Sequence, residues 1–437
     1  MHIHIVGIAG SMTAPLAIAL KNQGHQVTGS DQQKIYPPFS TQLKKSKISI
    51  NQTPINKDID LAIIGSSYLA FSQTKEEFEQ IKFQNIPYVS ATKYISQFLI
   101  KKSSILVAGS YGKTTISAAL SYLLEKANFN PSYMFGGQSL NRLQSLHFSN
   151  SDWSIFEADE SINGLDTKAK FLYYPVKYLI LTSAHWEHKE SYQNEAENFN
   201  AFKLLIQKIP KNGLLIYNQN DESIKALLPF ALCSTLPYSS TTLQTNLIGK
   251  FNQQNLASVE LMGTQLKIPS KTIASSLKSF KGIKRRLEVK AQINNLLFVD
   301  DYAQSANRIK AALLALRDTY PTRALKVFYE AHASFLQHRS NLKELSTVFD
   351  LASEILIYRL KFSPKQNSED RLSAKDYLTA IPHSLYIPLP IDVVKHYQNT
   401  LKKGDILIHF SSGGGEGLKT FQSLITLFRK NDAKINY

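Results

Sequence analysis

The chain has 437 residues, 43% of them hydrophobic, and its 50 Lys and Arg against 34 Asp and Glu give a net charge of +16. That length suits two to four domains with cores of their own, and the single cysteine, Cys233, excludes an internal disulfide framework and a cysteine-rich zinc site. The basic residues are spread along the chain. We therefore attribute the positive charge to the composition of the source proteome and to anionic small substrates, and not to nucleic acid binding. No basic leader precedes the first apolar run, and no run approaches the roughly 18 residues of a membrane span, so we expect a cytoplasmic protein without membrane insertion.

The first segment has the βαβ order of a nucleotide-binding half-fold. We predict strands at 3–7, 25–29, 61–65 and 86–89 and helices at 13–23, 75–83 and 92–100. Gly7 and Gly10 follow the first strand and would let a diphosphate approach the backbone, and Asp31 after the second strand can hydrogen-bond a ribose or sugar hydroxyl. A Gly-x-x-Gly turn is weak evidence by itself. The segment closes near Lys102.

The second segment opens with the most informative motif, Gly109-Ser110-Tyr111-Gly112-Lys113-Thr114-Thr115, between a strand at 104–108 and a helix. This pattern is typical of a phosphate-binding loop. Glycine lets backbone N–H groups approach an anion, Lys113 can reach the outer phosphates, and the Thr114 hydroxyl can ligate Mg²⁺. Val107 stands where the standard spacing has its first glycine. A tight strand-to-helix turn with a surface lysine is the alternative interpretation.

Further strands, predicted at 153–157, 178–182 and 214–218, carry polar groups at their ends. Glu157 ends the first of them, where a carboxylate beside a nucleotide can ligate Mg²⁺. His188 follows the second strand and can be another metal ligand, although a lone histidine is more often a surface or core group. Asn252 and Asn255, near a helix predicted at 254–266, are three residues apart, so both can face a base or ribose.

The third segment has predicted strands at 295–300, 325–329, 354–358 and 405–410 with helices between them, which indicates another open α/β domain. Asp300 and Asp301 end the first strand, and a glycine-rich loop at 411–417 follows the last; open sheets bind ligands at such ends. We therefore predict an α/β protein of three domains. They are a Rossmann-like domain at 1–102, a central ATP-binding phosphate-loop domain at 103–284, and a Rossmann-like domain at 285–437.

In combination these features resemble the Mur ligase family over essentially the whole chain. The motifs follow in order: Lys-Thr-Thr, a Glu-Ala-Asp-Glu strand end, a histidine strand end, Arg285-Arg286 and Asp-Asp-Tyr-Ala. The resemblance implies an ATP- and Mg²⁺-dependent ligase that forms an amide bond through an acyl phosphate. Within the family, the runs 36–41 and 411–417 resemble the branch that joins UDP-N-acetylmuramate to the murein tripeptide L-alanyl-γ-D-glutamyl-meso-diaminopimelate in peptidoglycan recycling. These two substrates are the expected partners of a monomer or weak dimer.

The resemblance also implies roles for individual residues. ATP phosphates would be held by Gly109, Ser110, Gly112, Lys113, Thr114 and Thr115, and metal ions by Thr114, Glu157 and His188. Other contacts to ATP would come from Asn252 and Asn255 at the adenine, from Arg286 at the γ-phosphate and from Asp301 at the ribose. The UDP moiety would be held by Gly7, Gly10, Ser11, Ser30, Asp31 and Tyr36. Catalysis would then rest on Lys113, Glu157, His188 and Arg286.

Several positions depart from the family pattern. Glu187 stands where aspartate usually precedes the metal histidine, Phe251 replaces the histidine before Asn252, and Gln304-Ser305-Ala306 replaces histidines after Asp-Asp-Tyr-Ala. Lys203 lies at the offset where some members carry a carbamylated lysine, although a helical surface lysine is the favoured interpretation. Two alternatives stay open: a UDP-N-acetylmuramate:L-alanine ligase, and a nucleotide-binding homologue with impaired catalysis.

Overall fold

A computed structural model describes residues 1–32, 35, 39–50, 58–186, 191–303, 306–331, 339–360, 372–411 and 415–435. Strands and helices alternate along these residues, and the strands form three separate sheets. The chain divides into two compact units, one of residues 1–246 and 252–283 and the other of residues 247–251 and 284–437. The first unit holds two of the sheets and the second unit holds one. Among the described helices, none combines the length and apolarity needed to cross a membrane.

The first sheet is all parallel, in the order β3-β2-β1-β4-β5. Its elements are β1 (His2–Val6), α1 (Thr13–Asn22), β2 (Gln26–Ser30), α2 (Phe39–Lys45), β3 (Ser49–Ile50), β4 (Leu61–Ile64), α3 (Ser72–Phe83), β5 (Tyr88–Ser90) and α4 (Ala91–Phe98). The chain leaves β1 towards β2 and leaves β4 towards β5, so the strand order reverses between β1 and β4. Gly7 and Gly65 follow these two strands, and a Cβ on Gly7 would lie 3.9 Å from the Gly65 Cα. This is the crevice where sheets of this order bind nucleotides.

The second sheet has seven strands in the order β12-β11-β10-β6-β9-β7-β8, with only β8 antiparallel to its neighbour. Its elements are β6 (Ser103–Ala108), α5 (Lys113–Lys126), β7 (Ser132–Met134), β8 (Leu146–His147), β9 (Trp153–Ala158), β10 (Tyr178–Leu181), α6 (Glu195–Gln207), β11 (Leu214–Asn218), α7 (Glu222–Lys225), β12 (Ser234–Tyr238), α8 (Lys250–Gln265) and α9 (Ser270–Ser279). Strand β6 is central and almost entirely buried, which agrees with its unbroken apolar run. The carboxyl ends of β9, β6 and β10 therefore lie side by side.

The third sheet has the order β13-β14-β18-β15-β16-β17, parallel except for the β13–β14 hairpin. Its elements are β13 (Glu288–Ile293), β14 (Leu296–Asp301), α10 (Ala306–Thr319), β15 (Leu325–Glu330), α11 (Arg339–Leu345), β16 (Glu354–Ile357), α12 (Ala374–Ala380), β17 (Ser384–Tyr386), α13 (Pro390–Thr400), β18 (Ile406–Ser411) and α14 (Glu416–Ile435). Apolar side chains pack on both faces of this sheet in two clusters. The predicted α/β class is confirmed.

Some element boundaries differ from the sequence-based expectation. Helix α8 begins at Lys250 instead of residue 254, directly after Gly249, whose φ of +95° sets the turn. The predicted strand at 86–89 is β5, which begins two residues later at Tyr88. The hairpin strand β13 was not predicted. None of these shifts moves the strand ends that carry the candidate site.

Candidate functional site

The turn from β6 into α5 has backbone geometry that only glycine adopts easily. Gly109 has φ +121° and Gly112 has φ +80°, and α5 begins at Lys113, directly after Gly112. A Cβ on Gly109 would lie 2.2 Å from the Thr182 Oγ1 at the end of β10. Both glycines are therefore favoured by backbone angle, and a side chain at Gly109 would also clash with Thr182. The result is a glycine-lined loop at a helix N-terminus, the arrangement that binds phosphate.

Lys113 folds back over this loop. Its Nζ donates to the Gly109 carbonyl oxygen at 2.5 Å and to the two carboxylate oxygens of Glu160 at 2.9 and 3.1 Å. The Glu160 side chain is only 3% exposed, so this ion pair is desolvated. Glu160 is the last residue of the Glu-Ala-Asp-Glu strand end at 157–160, and the sequence analysis did not identify it as the partner of Lys113. The ion pair fixes the ammonium at the loop.

Thr114 and Glu157 meet beside the same loop. The Thr114 hydroxyl lies 3.0 Å from both carboxylate oxygens of Glu157, and the Gly136 N–H donates to one of them at 2.7 Å. A hydroxyl and a carboxylate form an all-oxygen pair, which suits Mg²⁺ when phosphate oxygens and water complete its shell. No group of three or more His, Cys, Asp or Glu side chains in the described part of the chain could hold a metal. His188 lies outside the described residues.

The end of β10 supports the phosphate loop from the other side. Thr182 donates its hydroxyl to the Tyr111 carbonyl at 2.6 Å, and the Ser110 N–H donates to the Ser183 hydroxyl at 2.8 Å. The Ser110 hydroxyl in turn donates to the His185 carbonyl at 3.0 Å. Ser110 was expected to hold phosphate, and in this structure its backbone N–H and its hydroxyl both bind the segment after β10. Ser183 and His185 are therefore functional candidates as supports of the loop.

Asn255 of α8 contacts the loop as well. A Cβ on Gly112 would lie 2.4 Å from the Asn255 Oδ1, so the amide can pack there only because residue 112 has no side chain. The Asn255 Nδ2 lies 3.4 Å from the Asn252 Oδ1. The structure thus brings Asn255 to the phosphate loop and places Asn252 beside Asn255. Their role at the adenine stays a prediction.

The segment after Glu157 is held by a second buried pair. The Lys170 Nζ lies 2.8 Å from the Asp159 Oδ2. Burial by itself would raise the pKa of Asp159, but the Lys170 ammonium outweighs it and, with Lys113 also contributing, holds the pKa well below its usual range. Tyr192 donates its hydroxyl to the Glu160 carbonyl. The Lys170–Asp159 pair and the Tyr192 hydroxyl therefore fix the segment that carries Glu160, the partner of Lys113.

In the first sheet, Asp31 contacts the loop after β1. Its Oδ2 accepts the Ala9 N–H at 2.7 Å and its Oδ1 accepts the Gln32 N–H at 2.8 Å, and the residue is 7% exposed. The carboxylate therefore stabilises the loop that contains Gly7 and Gly10. Its contact with a ligand hydroxyl stays a prediction. Ser11 in that loop is exposed. Tyr36 lies outside the described residues.

Ser30 and His4 share a partner that sequence reasoning did not identify. Ser30 donates its hydroxyl to Glu77, and the His4 Nε2 lies 2.8 Å from the other carboxylate oxygen of Glu77. Glu77 comes from α3, 47 positions after Ser30, so no local pattern connects them. The Ser30 carbonyl also accepts the Gly7 and Ile8 N–H groups at 2.9 Å each. Ser30 therefore ties β2 to the glycine loop.

In the third sheet, Asp301 ends β14. Its Oδ2 accepts the Leu287 N–H at 2.7 Å. Burial raises the pKa of Asp301 to about 6, with the neighbouring Asp300 acting in the same direction, while Arg286, the Leu287 N–H and Arg308 oppose the rise. Contact with a ribose stays a prediction for this carboxylate.

Lys203, the candidate for carbamylation, has its Nζ 4.4 Å from the centre of the Phe230 ring. That position supports the structural interpretation of this lysine. Gln304 and Ser305, which replace the family histidines, lie outside the described residues, and Ala306 begins α10.

Two family models match the sequence. Residues 2–103 match the one described as "Mur ligase family, catalytic domain", and residues 107–231 match "Mur ligase middle domain". The glycine loop after β1, the phosphate loop and Glu157 all lie in these spans. The chain therefore belongs to the Mur ligase family, and it is an ATP-dependent ligase that forms amide bonds in the peptidoglycan pathway.

Named relatives fall into two acceptor classes. The chain is 29% identical over 349 residues to the UDP-N-acetylmuramate–L-alanyl-γ-D-glutamyl-meso-2,6-diaminoheptandioate ligase of Escherichia coli (strain K12), covering 72% of this chain and 76% of the relative. It is 25% identical over 447 residues to the UDP-N-acetylmuramate–L-alanine ligase of Desulfatibacillum aliphaticivorans, and the match covers 94% of this chain and 95% of that relative. Among solved structures, a UDP-N-acetylmuramate–alanine ligase from Thermotoga maritima matches with a TM-score of 0.78 at 18% identity, covering 99% of this chain and 100% of that one. At that identity the likeness shows the fold.

Proposed function

We propose that the protein joins UDP-N-acetylmuramate to the murein tripeptide L-alanyl-γ-D-glutamyl-meso-diaminopimelate, with ATP and Mg²⁺, in peptidoglycan recycling. The observation that carries the chemistry is the convergence of Lys113, Thr114 and Glu157 on one glycine loop, within hydrogen-bond distance of one another or of the loop. The tripeptide as acceptor is supported by the relative from Escherichia coli and by the resemblance of residues 36–41 and 411–417.

The carboxylate must be activated before the amide bond can form, because a carboxylate and an amine do not condense in water. In the first step an oxygen of the muramate lactyl carboxylate attacks the γ-phosphorus of ATP, and the bond from that phosphorus to the ADP oxygen breaks. In the second step the amino nitrogen of the tripeptide attacks the acyl carbon, the bond to phosphate breaks, and the nitrogen loses a proton. Both steps concentrate negative charge at the phosphates, so fixed positive groups lower the barriers.

Lys113 supplies such a charge at the loop, with its position set by Glu160 and by the Gly109 carbonyl. The N–H groups at the start of α5 add the partial positive charge of a helix terminus. Bound Mg²⁺ would neutralise phosphate charge, and Thr114 and Glu157 are the residues that would hold it. Because Thr114 and Glu157 already contact each other, little rearrangement is needed to offer both oxygens to one ion.

The competing function is a UDP-N-acetylmuramate:L-alanine ligase, since relatives of that name align with nearly the whole chain. An acceptor panel separates the two. Purified protein is supplied with ATP, Mg²⁺ and UDP-N-acetylmuramate, and ADP release is measured with tripeptide or L-alanine, with Lys113→Ala as the blank. We expect a higher kcat/KM for the tripeptide. A higher kcat/KM for L-alanine would assign the chain to the other class.

The same assay tests the impaired homologue, which Gln304-Ser305-Ala306 suggests. That alternative requires ADP release to be absent with every acceptor while ATP still binds. Gln304→His then restores the family pattern. If the wild type is inactive and this variant ligates, impaired catalysis is the correct interpretation; if the variant slows a substantial wild-type rate, the chain is a working ligase adapted to glutamine.

A further inference from the structure

The turn before β13 holds Arg286 between two residues in an unfavourable backbone conformation. Arg285 has φ +60° and Leu287 has φ +45°. A left-handed conformation is unfavourable for a residue that carries a Cβ, so this turn is strained on both sides of one arginine. Such a conformation persists only where surrounding contacts fix it, and it marks a functional position when the residue it presents acts on a ligand.

On the C-terminal side of Arg286, the fixing contact comes from Asp301. Its Oδ2 accepts the Leu287 N–H at 2.7 Å. Leu287 is 6% exposed and Asp301 is 7% exposed, so the bond is shielded from water. Arg286 itself acts electrostatically on Asp301, opposing the rise in its pKa. One carboxylate therefore holds the backbone after Arg286 and attracts the side chain of Arg286.

On the N-terminal side, Arg285 is held at its backbone and at its side chain. Its N–H donates to Glu288 at 2.9 Å, and its carbonyl accepts the Tyr302 N–H at 2.7 Å. Its guanidinium lies 4.9 Å from the centre of the Tyr302 ring, with Nε 3.3 Å from the Asp300 Oδ2. Asp300 is buried and also lies 2.9 Å from the Nδ1 of the buried His409. The consecutive residues Asp300, Asp301 and Tyr302 thus fix both flanks of Arg286.

We propose that Asp301 is a positioning residue for the ligase reaction: by holding the Leu287 N–H, it keeps the turn 285–287 in the conformation that presents Arg286 at the carboxyl end of β14. This deepens the proposed function, because it rests on Arg286 acting at the γ-phosphate. It also differs from the ribose contact that the family resemblance implies for Asp301. A ribose contact acts on ATP binding directly, whereas positioning acts only through Arg286.

A double-mutant cycle separates these two roles. Arg286→Ala should lower kcat by about 10²-fold, the size of loss typical for one charged transition-state contact. Asp301→Ala should lower kcat by about 10-fold or more at saturating ATP, and the double variant should be no slower than Arg286→Ala, because the positioning group has nothing left to position. Asp301→Asn keeps an acceptor for the Leu287 N–H and should retain more activity than Asp301→Ala.

Asp405 provides a matched control. It is also 7% exposed, lies in the same unit and accepts a backbone N–H, that of Lys402, at 2.9 Å. Asp405→Ala should destabilise the fold to a similar degree and leave kcat near the wild-type value. The proposal is overturned if the losses from Arg286→Ala and Asp301→Ala multiply, if Asp301→Ala changes only KM for ATP, if Asp405→Ala slows kcat equally, or if Arg286→Ala has no effect.

Amide hydrogen exchange tests, without any substrate, whether Asp301 holds the Leu287 N–H. In Asp301→Ala the Leu287 amide should exchange faster while the Lys402 amide is unchanged, and Asp405→Ala should show the reverse. Equal protection of Leu287 in wild type and Asp301→Ala contradicts the proposal even if the enzyme turns over. Inactivity of the wild type with every acceptor would contradict the proposed function instead, and the exchange result would still decide whether Asp301 holds the turn.

Discussion

The Asn255 amide oxygen occupies the space that a side chain on Gly112 would need: a Cβ there would lie 2.4 Å from the Asn255 Oδ1. The phosphate loop and the start of α8 are therefore fitted to each other at one glycine. Gly112→Ala should lose stability through both the clash and the positive φ. Gly24→Ala is the matched control, since Gly24 has φ +90° and nothing lies within 4 Å of its Cβ position.

Gly24→Ala should lower the free energy of unfolding only by the backbone strain, about 1–2 kcal/mol. Gly112→Ala should lower it by about 1–3 kcal/mol more, because the added Cβ overpacks the site. Chemical denaturation measures both. Adding Asn255→Ala to Gly112→Ala should recover part of the difference. Equal losses at the two glycines would show that Asn255 does not pack against the loop as described.

Lys113→Ala should abolish ligation, because it removes the ammonium from the phosphate loop. The variant should still fold but with a lower free energy of unfolding, because the buried Glu160 carboxylate loses its partner. A charge directed at a transferring phosphate is worth on the order of several kcal/mol in the transition state. Lys126→Ala, at the exposed far end of the same helix, is the control and should keep full turnover. Activity of Lys113→Ala above about a tenth of wild type at saturating ATP would contradict the assignment of this loop.

Glu157→Gln should raise the Mg²⁺ concentration needed for half-maximal turnover, because Mg²⁺ favours charged oxygen ligands. Thr114→Val should act in the same direction by removing the neighbouring hydroxyl. A Mg²⁺ titration of the ADP-release rate measures both, and Glu222→Gln, at a glutamate whose side chain is 79% exposed, should leave the curve unchanged. His188→Ala should also shift the curve if His188 is a metal ligand. A shift for His188→Ala without one for Glu157→Gln would place the metal elsewhere.

Asp301 should make stability depend on pH in an unusual direction. Its pKa in the folded protein is raised to about 6 from 3.8, so between these values the folded state binds more protons than the unfolded state. The contribution of this group to the free energy of unfolding therefore falls as pH rises from about 4 to 6, and is constant above that. The difference in unfolding free energy between wild type and Asp301→Asn should follow this course, measured by denaturation at several pH values. A difference that grows with pH over the same range would mean that the pKa of Asp301 is lowered.

Local sequence patterns are sufficient to predict those parts of the site whose residues lie in one continuous segment. Gly109, Gly112 and Lys113 are predictable because two glycines between an apolar strand and a helix, followed at once by a lysine, are typical of a phosphate-binding turn. Glu160 and Glu77 were missed as partners because each binds a residue 47 positions away. Such pairs depend on which strands and helices become neighbours in the fold, and the spacing of residues along the chain does not encode that.

The β13–β14 hairpin was missed although the sequence contains its signal. The strands are joined by Asn294 and Asn295, with φ of +46° and +63°. Asparagine tolerates this conformation better than most residues, and two such residues in succession form the tight turn that fits twisted strands. An Asn-Asn pair between the alternating polar and apolar residues 288–293 and the apolar run that follows could therefore have predicted the antiparallel edge of the third sheet.

Residues 247–251, the last two of which begin α8, belong to the second compact unit, although the chain returns to the first unit at Asn252. Ile248 is buried in the same apolar cluster as Ala315, a Cβ on Gly249 would lie 2.5 Å from the Ala315 Cβ, and Lys250 pairs with Asp318 at 3.0 Å. A chimera that exchanges everything after residue 284 between two family members would therefore leave this five-residue piece facing a foreign helix α10. A graft that carries residues 247–251 together with residues 285–437 keeps the native contacts between these two pieces. The gene should therefore be divided so that both pieces come from the same parent.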